Sequence, residues 1–328
     1  TIGEKRAIAA LAVATMIICA VGVFIDIAVI TVAPIALAIG ERAGLSKSGI
    51  LLAMIGGGKA GNIVSPNPNT IAVTEAFKLD LTAVMMKNLI PALCALIATI
   101  VLASLLAKKA GDGISQNDLE AAPAEKLPNA LQAFAGPLTV IVLLALRPLA
   151  KISVDPLIAL PLGGLVCILV TGNIRKLIPY TDFGLSKVIG VAILLIGTGT
   201  IAGIIKASAL QKDMTALLSA MNMPAFILAP LSGILMAAAT ASTTAGSTVA
   251  SQTFSGTLLS AGVPALSAAA MIHAGATVLD SLPHGSFFHA TGGSVYMDIK
   301  NRMKLIPFEA LIGLTSTIVA VILYLVTA

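Results

Sequence analysis

The chain has 328 residues, of which 57% are hydrophobic and 11% charged, against about 25% charged in ordinary soluble domains. A soluble globule of this size cannot hide that much apolar surface, so the composition excludes a typical cytosolic protein and points to one that crosses a membrane several times. The net charge of +5 is spread over short loops, which excludes a nucleic-acid-binding surface.

In chain order, apolar stretches are predicted to be helical at residues 7–21, 27–39 and 89–107, with a shorter piece at 50–55. Several fall below the roughly 20 residues of a full membrane span. Asp26 lies between the apolar runs "VGVFI" and "IAVITVA". A carboxylate at that depth is costly and marks function, and it suits reversible protonation. The segment "GGGKAGNIVSPNPNT", residues 56–70, combines glycines, prolines, three asparagines and a lysine between apolar flanks. It is expected to break the helix. Lipid cannot satisfy a broken backbone, so such a segment must be buried in protein or line a wet cavity. Lys59 within it is open to three readings: attraction of an anion, pairing with an internal acid, or snorkelling to the interface.

Residues 108–129, "KKAGDGISQNDLEAAPAEKLPN", read as a hydrophilic linker between a first repeat at 1–107 and a second at 130–328. Further apolar stretches follow at 131–146, 156–170, 188–205, 225–239, 264–279 and 306–326. A second polar segment, "ATASTTAGSTVASQT" at 239–253, is taken as the partner of 56–70, and each half has an earlier interruption, at 22–29 and 195–203. The expected fold is therefore an all-α polytopic membrane protein, an inverted-repeat secondary transporter with two re-entrant hairpins and interrupted helices. In such folds the broken helices meet near the midplane, where substrate binds. Hydroxyls and free N–H groups of "ASTTAG" at 241–246 can cradle a carboxylate at a half-helix N-terminus.

All three histidines lie in "HAGATVLDSLPHGSFFHATGG", residues 273–293, together with Asp280. The seven-residue spacing of His273 and Asp280 places both on one helix face, and His284 follows Pro283, where a helix breaks. Histidine titrates near neutrality, which suits proton movement. A metal site is the rival, but no HxxxH or HExxH spacing supports it. Cys19, Cys94 and Cys167 sit in apolar stretches and read as packing residues. There is no GxSxG, P-loop or CxxC motif. The chain starts with Thr and shows no signal peptide.

Four segments, in this order and spacing, resemble the gluconate:proton symporter (gluconate permease) family of the ion-transporter superfamily. They are "FIDIAVITVAPIALAI" at 24–39, "GGGKAGNIVSPNPNTIAVTEAFKLDL", "ASTTAG" and "DSLPHGSFFHATGG". The resemblance covers nearly the whole chain. It implies a proton-coupled importer of small organic anions such as sugar acids or hydroxy acids, multi-pass in the cytoplasmic (inner) membrane of a bacterium, with a homodimer as a possible assembly. It implies no cofactor, no metal and no nucleic-acid partner. The family carries further helices upstream of the region that starts here, so the first repeat is expected to be N-terminally incomplete. Gluconate-type members carry an Asn-Asp-Pro-Gly run with an upstream histidine; here the run is "SLPHGS" after Asp280, as in a branch with an Asp-Ser-Leu-Pro-His variant.

The resulting assignment places Asn62, Ser65, Asn67, Asn69 and Thr70 in one half-site and Ser242, Thr243, Thr244 and Gly246 in the other. Asp26, Asp280 and His284 are the protonation candidates. The rivals are sodium coupling through the same hairpins, a passive channel, and an intramembrane metalloenzyme using His273, His284 and Asp280.

Overall fold

The computed structural model describes residues 6–109, 112–115, 118–119, 129–150, 154–209, 212–213, 216, 220 and 223–327. Much of the 108–129 linker lies outside the described residues. Among those described, all regular structure is helical apart from one isolated bridge between Ser46 and Gly113.

The chain divides into two compact units, Thr1–Ala121 with Thr198–Ala328, and Ala122–Gly197. In the second unit, α7 (Ala130–Ala150) and α8 (Pro156–Val170) pack through Val140, Leu144 and Ala159. The Asp155 side chain caps α8 by accepting from the Leu157 N–H, with Pro156 at the first helical position. The following helix, α9 (Leu177–Ala207), runs through residues 195–203 without interruption, so the break expected there is absent. "LIGTGTIAG" carries glycine and threonine but no proline, and an apolar helix absorbs it.

Among the described residues, the first unit contains two runs of six α-helices. The first run is α1 (Ala7–Ala20), α2 (Ile25–Arg42), α3 (Lys47–Asn62), α4 (Pro68–Phe77), α5 (Leu81–Lys87) and α6 (Leu89–Lys109). The second is α10 (Leu228–Thr240), α11 (Thr243–Ser260), α12 (Ala265–Gly275), α13 (Ser286–Gly293), α14 (Ile299–Met303) and α15 (Ile306–Thr327). Their lengths run in parallel: 14, 18, 16, 10, 7 and 21 residues against 13, 18, 11, 8, 5 and 22. This order matches the break after α3 with the break after α12. The tip between α10 and α11 corresponds instead to the tip between α1 and α2. The sequence pairing of 56–70 with 239–253 is thus displaced by one structural element.

The breaks also carry the chain between two cores. One core is built from α1, α2, α3 and α6, the other from α10, α11 and α12. After its break, the first run sends Val73, Phe77 and Val84 of α4 and α5 into the second core. After its own break, the second run sends Phe287, Val295 and Met297 into the first core. α4 packs on α11 and α12, while α13 packs on α2 and α3.

The side chains show which solvent surrounds these helices. On α6 the exposed residues are Leu89, Ile90, Leu93, Ile97, Val101 and Leu105, and the buried face carries Ala92, Ala95, Thr99 and Ala103. On α15, Leu311, Leu314, Ile318 and Ile322 face outward while Glu309, Ser316 and Thr317 are buried. Large apolar groups lie outside and small or polar groups inside, as expected where the solvent is lipid. Among the described residues, Leu89–Ala107 and Ile299–Thr327 are long and apolar enough to span a bilayer, while the apolar helices at Ala7–Ala20, Leu157–Val170 and Ala265–Gly275 are shorter.

Helix α3 occupies the centre of the first core and is buried from Ser48 to Asn62. It includes the triple glycine that was expected to disrupt it. A Cβ at Gly56 would overlap Thr99 of α6, one at Gly57 the Ala12 carbonyl of α1, and one at Gly58 the Ile25 side chain of α2. Gly61 faces the Met16 carbonyl of α1 in the same way. Glycine weakens an isolated helix by roughly 1 kcal/mol each against alanine, but here it lets three helices approach one backbone. The break itself is confined to residues 63–67.

The glycine positions differ in what they touch. Gly57→Ala meets backbone, which cannot yield, whereas Gly58→Ala meets a side chain that can rotate. Gly57→Ala is expected to cost about 1–3 kcal/mol, seen as a lower melting temperature of the detergent-purified protein. Gly58→Ala is expected to cost less than Gly57→Ala.

Candidate functional site

The break after α3 is held by side chains that replace missing helical hydrogen bonds. Asn67 caps α4: its Oδ1 accepts from the Asn69 and Thr70 N–H groups, each at 3.0 Å. Its Nδ2 donates back to the Asn62 carbonyl at 2.9 Å and to Asn62 Oδ1. Asn69 Nδ2 also donates to Asn62 Oδ1, at 3.0 Å. The Thr70 hydroxyl donates to the Ser65 carbonyl at 2.6 Å. Proline at 66 and 68 ensures that no helix continues through the segment.

Two other segments meet this break. Lys59, one turn before it, donates 2.6 Å bonds to Asp280 Oδ1 and to the Thr277 carbonyl, both in the break after α12. The side chains of this pair are 1% and 3% exposed. Thr243, at the start of α11, donates to Asp280 Oδ2 at 2.6 Å, and the Ser281 hydroxyl donates to Oδ1 at 2.9 Å. Thr244 donates to Asn69 Oδ1. The α10–α11 tip therefore bonds to both breaks. It also touches the second break directly, since a Cβ at Gly285 would lie 2.6 Å from Ala241. Ala241 turns the tip with φ +47°, a left-handed conformation rare for a residue with a side chain.

Several polar atoms in this region are buried with no hydrogen-bond partner. They include Asn62 Nδ2, Ser65 Oγ, Thr248 Oγ1 and both ring nitrogens of His273. Leaving one such group unmatched costs about 1–3 kcal/mol, and unmatched groups are expected where a ligand or water completes the set. Asn62 Oδ1 is occupied by two amide donors, so its free atom is a donor.

The predicted site residues separate into distinct roles. Asn62, Ser65, Asn69, Thr243, Thr244 and Asp280 come together at the three-way junction. Asn67 and Ser242 act as helix caps, Ser242 accepting from the Ala245 N–H at 3.2 Å. The Thr70 hydroxyl is engaged with the Ser65 carbonyl. Gly246 faces Ala237 of α10, and its N–H donates to the Ser242 carbonyl, so it serves helix packing. Asp26 sits half-buried in the first turn of α2, where its carboxylate accepts from the Ile27 N–H. It lies at the tip that corresponds to 241–242. His284 is exposed, and His289 bonds to the Pro283 carbonyl at 2.8 Å.

Sequence reasoning missed a second buried ion pair, Arg302 with Glu309. Arg302 also donates to the Phe288 carbonyl at 3.3 Å and to Thr291 Oγ1 at 3.2 Å, and its guanidinium lies 4.8 Å from the Phe288 ring centre. The pair pins α13 to α14 and α15, and so fixes the chain just beyond the second break. An acid in the first turn of an otherwise apolar helix, seven residues after an arginine, was the available signal.

A buried cation tied to an acid across two helix breaks, with small residues inside and apolar residues outside, fits a polytopic membrane protein. Residues 1–327 match the GntP family of permeases. The chain is 58% identical over 323 residues to an uncharacterized transporter of Haemophilus influenzae, an alignment that covers 98% of this chain and 77% of the relative. The chain belongs to the GntP permease family. It is a transporter and not an enzyme, and the metalloenzyme reading of His273, His284 and Asp280 falls with that assignment.

Glu309→Gln should leave the Arg302 charge buried and uncompensated, at a cost of about 3–5 kcal/mol. The double variant Arg302→Met with Glu309→Met removes both charges and should recover much of that loss. Melting temperatures of the two variants in one detergent decide the matter; equal stability of Glu309→Gln and wild type would show that the pair does not hold α13.

Proposed function

We propose that this permease carries a small organic anion, a sugar acid or hydroxy acid, by proton-coupled symport across the cytoplasmic membrane of a bacterium. The observation that carries the reading is the junction of two breaks and a hairpin tip around Lys59 and Asp280. A buried cation lies beside unmatched donors, which favours an anionic ligand with hydroxyl groups. Asn62, Ser65, Asn69 and Thr244 supply neutral partners that bond and release. Asp280, held by Lys59 and two hydroxyls, is the group best placed to exchange a proton during the cycle.

Helix breaks suit this task for a physical reason. Each leaves backbone and side-chain groups available at a depth where continuous helices present none. The exchange of α4 and α13 between the two cores means that movement of one core against the other must act on both breaks together.

Proteoliposomes tested for uptake of D-gluconate and D-glycerate give the decisive measurement. Accumulation above the external concentration is expected when an inward proton gradient is imposed, and none with a sodium gradient alone. Uptake driven by sodium and not by protons would overturn the coupling. Equilibration without accumulation would make the protein a channel.

A further inference from the structure

We infer that Asp280 occupies the place of the substrate's carboxylate, so that the substrate binds by displacing an internal acid from Lys59. The inference rests on the anion-transport reading and adds which charge the anion meets and which anions are accepted.

Lys59 and Arg302 are the buried cations among the described residues. Arg302 is held by both oxygens of Glu309, by Phe288 and by Thr291. Lys59 meets a single carboxylate oxygen and one backbone carbonyl. Only Lys59 can change its anionic partner without dismantling a helix contact. A second negative charge entering while Asp280 keeps its own would leave two anions on one cation in a site screened from water, which the desolvation cost forbids. The incoming carboxylate must therefore replace Asp280.

Geometry places the rest of the ligand. Lys59 and Asn62 are three residues apart on α3 and lie on one face, about 5–6 Å apart at their Cβ atoms. Asn62 Nδ2 is a buried donor without a partner, and Ser65 Oγ, three residues on, is likewise unmatched. A carboxylate on Lys59 brings an adjacent hydroxyl to Asn62 Nδ2 and a further one to Ser65. This favours short monocarboxylates with a 2-hydroxyl group. A dicarboxylate brings a second charge for which no exchangeable cation exists among the described residues. Gluconate is thus accepted over glucarate, and glycerate over its dicarboxylate counterpart tartronate.

The displaced Asp280 retains the hydroxyls of Thr243 and Ser281. It takes one proton from water, so that the site gains one anion and one proton together. Lys59 faces it from α3 and Thr243 from α11, with Ser281 beside it; His273 on α12 and His284 in its own segment are the other titratable groups of those elements.

The test uses the full chain in detergent at one pH, with D-gluconate as probe in calorimetry. Asp280→Asn removes the internal competitor and is expected to bind gluconate about 10-fold or more tighter than wild type. Titration in two buffers of different ionisation heat should show about one proton taken up per gluconate by wild type and none by Asp280→Asn. The double variant Lys59→Met with Asp280→Asn buries no unpaired charge, should stay folded by its melting curve, and should lose gluconate binding. Glucarate should bind wild type at least about 10-fold more weakly than gluconate.

Unchanged or weaker binding by Asp280→Asn overturns the inference, as does gluconate binding by the folded double variant. Absence of gluconate and glycerate binding in both wild type and Asp280→Asn overturns it too. If wild type still accumulates a sugar acid in proteoliposomes, the transport reading survives such a result; if wild type accumulates none, that reading fails as well.

Discussion

A helix broken inside lipid must find partners for its freed backbone within the protein, and the centre of this molecule is arranged around that constraint. Asn67 serves the Asn62 carbonyl and Thr70 serves the Ser65 carbonyl, both within one break. Lys59 crosses to the Thr277 carbonyl of the other. The last bond is the consequential one, because it makes each break part of the other's support. Lys59 reaches that carbonyl and the Asp280 carboxylate with the same ammonium group. The polar centre and the scaffold are therefore the same set of atoms.

The glycines of α3 follow from this arrangement. Lys59 must start from a helix that is enclosed on three sides, or its charge would meet lipid. Enclosure by α1, α2 and α6 at backbone distance requires the absence of side chains at Gly56, Gly57, Gly58 and Gly61. The low helix propensity of that run is outweighed by contact with three neighbours. The same device recurs at Gly246 against Ala237 and at Gly313 against the Thr277 carbonyl. The latter brings α15 against the second break, just as Glu309, one turn earlier, holds Arg302 and, through it, α13.

The membrane character, the helical class and the existence of a break near residue 65 were all legible in the sequence. Proline at 66 and 68 with asparagine at 67 admits few alternatives. The extent of the break was not legible, because a run of glycines reads the same whether it ends a helix or admits a close neighbour. The register between the halves is obscured in the sequence for a related reason. Residues 239–253 and 56–70 share small polar composition, but the first is mostly the close-packed start of α11 and the second contains a true break at 63–67. Helix lengths, rather than composition, reveal the correct correspondence. The partner of Lys59 lies 221 residues away in sequence, and no local pattern encodes a contact of that range. The choice among its three readings therefore had to wait for the fold, which selects pairing with an internal acid.

That choice bears on how a carrier avoids leaking charge. A lone lysine at this depth would bind any small anion, and a lone aspartate would bind any cation. Held together, they present a neutral site and reduce the cost of burial. Thr243 and Ser281 give Asp280 partners that persist when the lysine is taken away. Arg302 and Glu309 show the contrasting case, in which carboxylate, carbonyl, hydroxyl and ring together enclose the guanidinium. The lysine meets one carboxylate oxygen and one carbonyl, so the two pairs differ in how completely the cation is enclosed. In this fold the less enclosed pair lies across the two breaks, and the more enclosed pair secures the segment leading away from one of them.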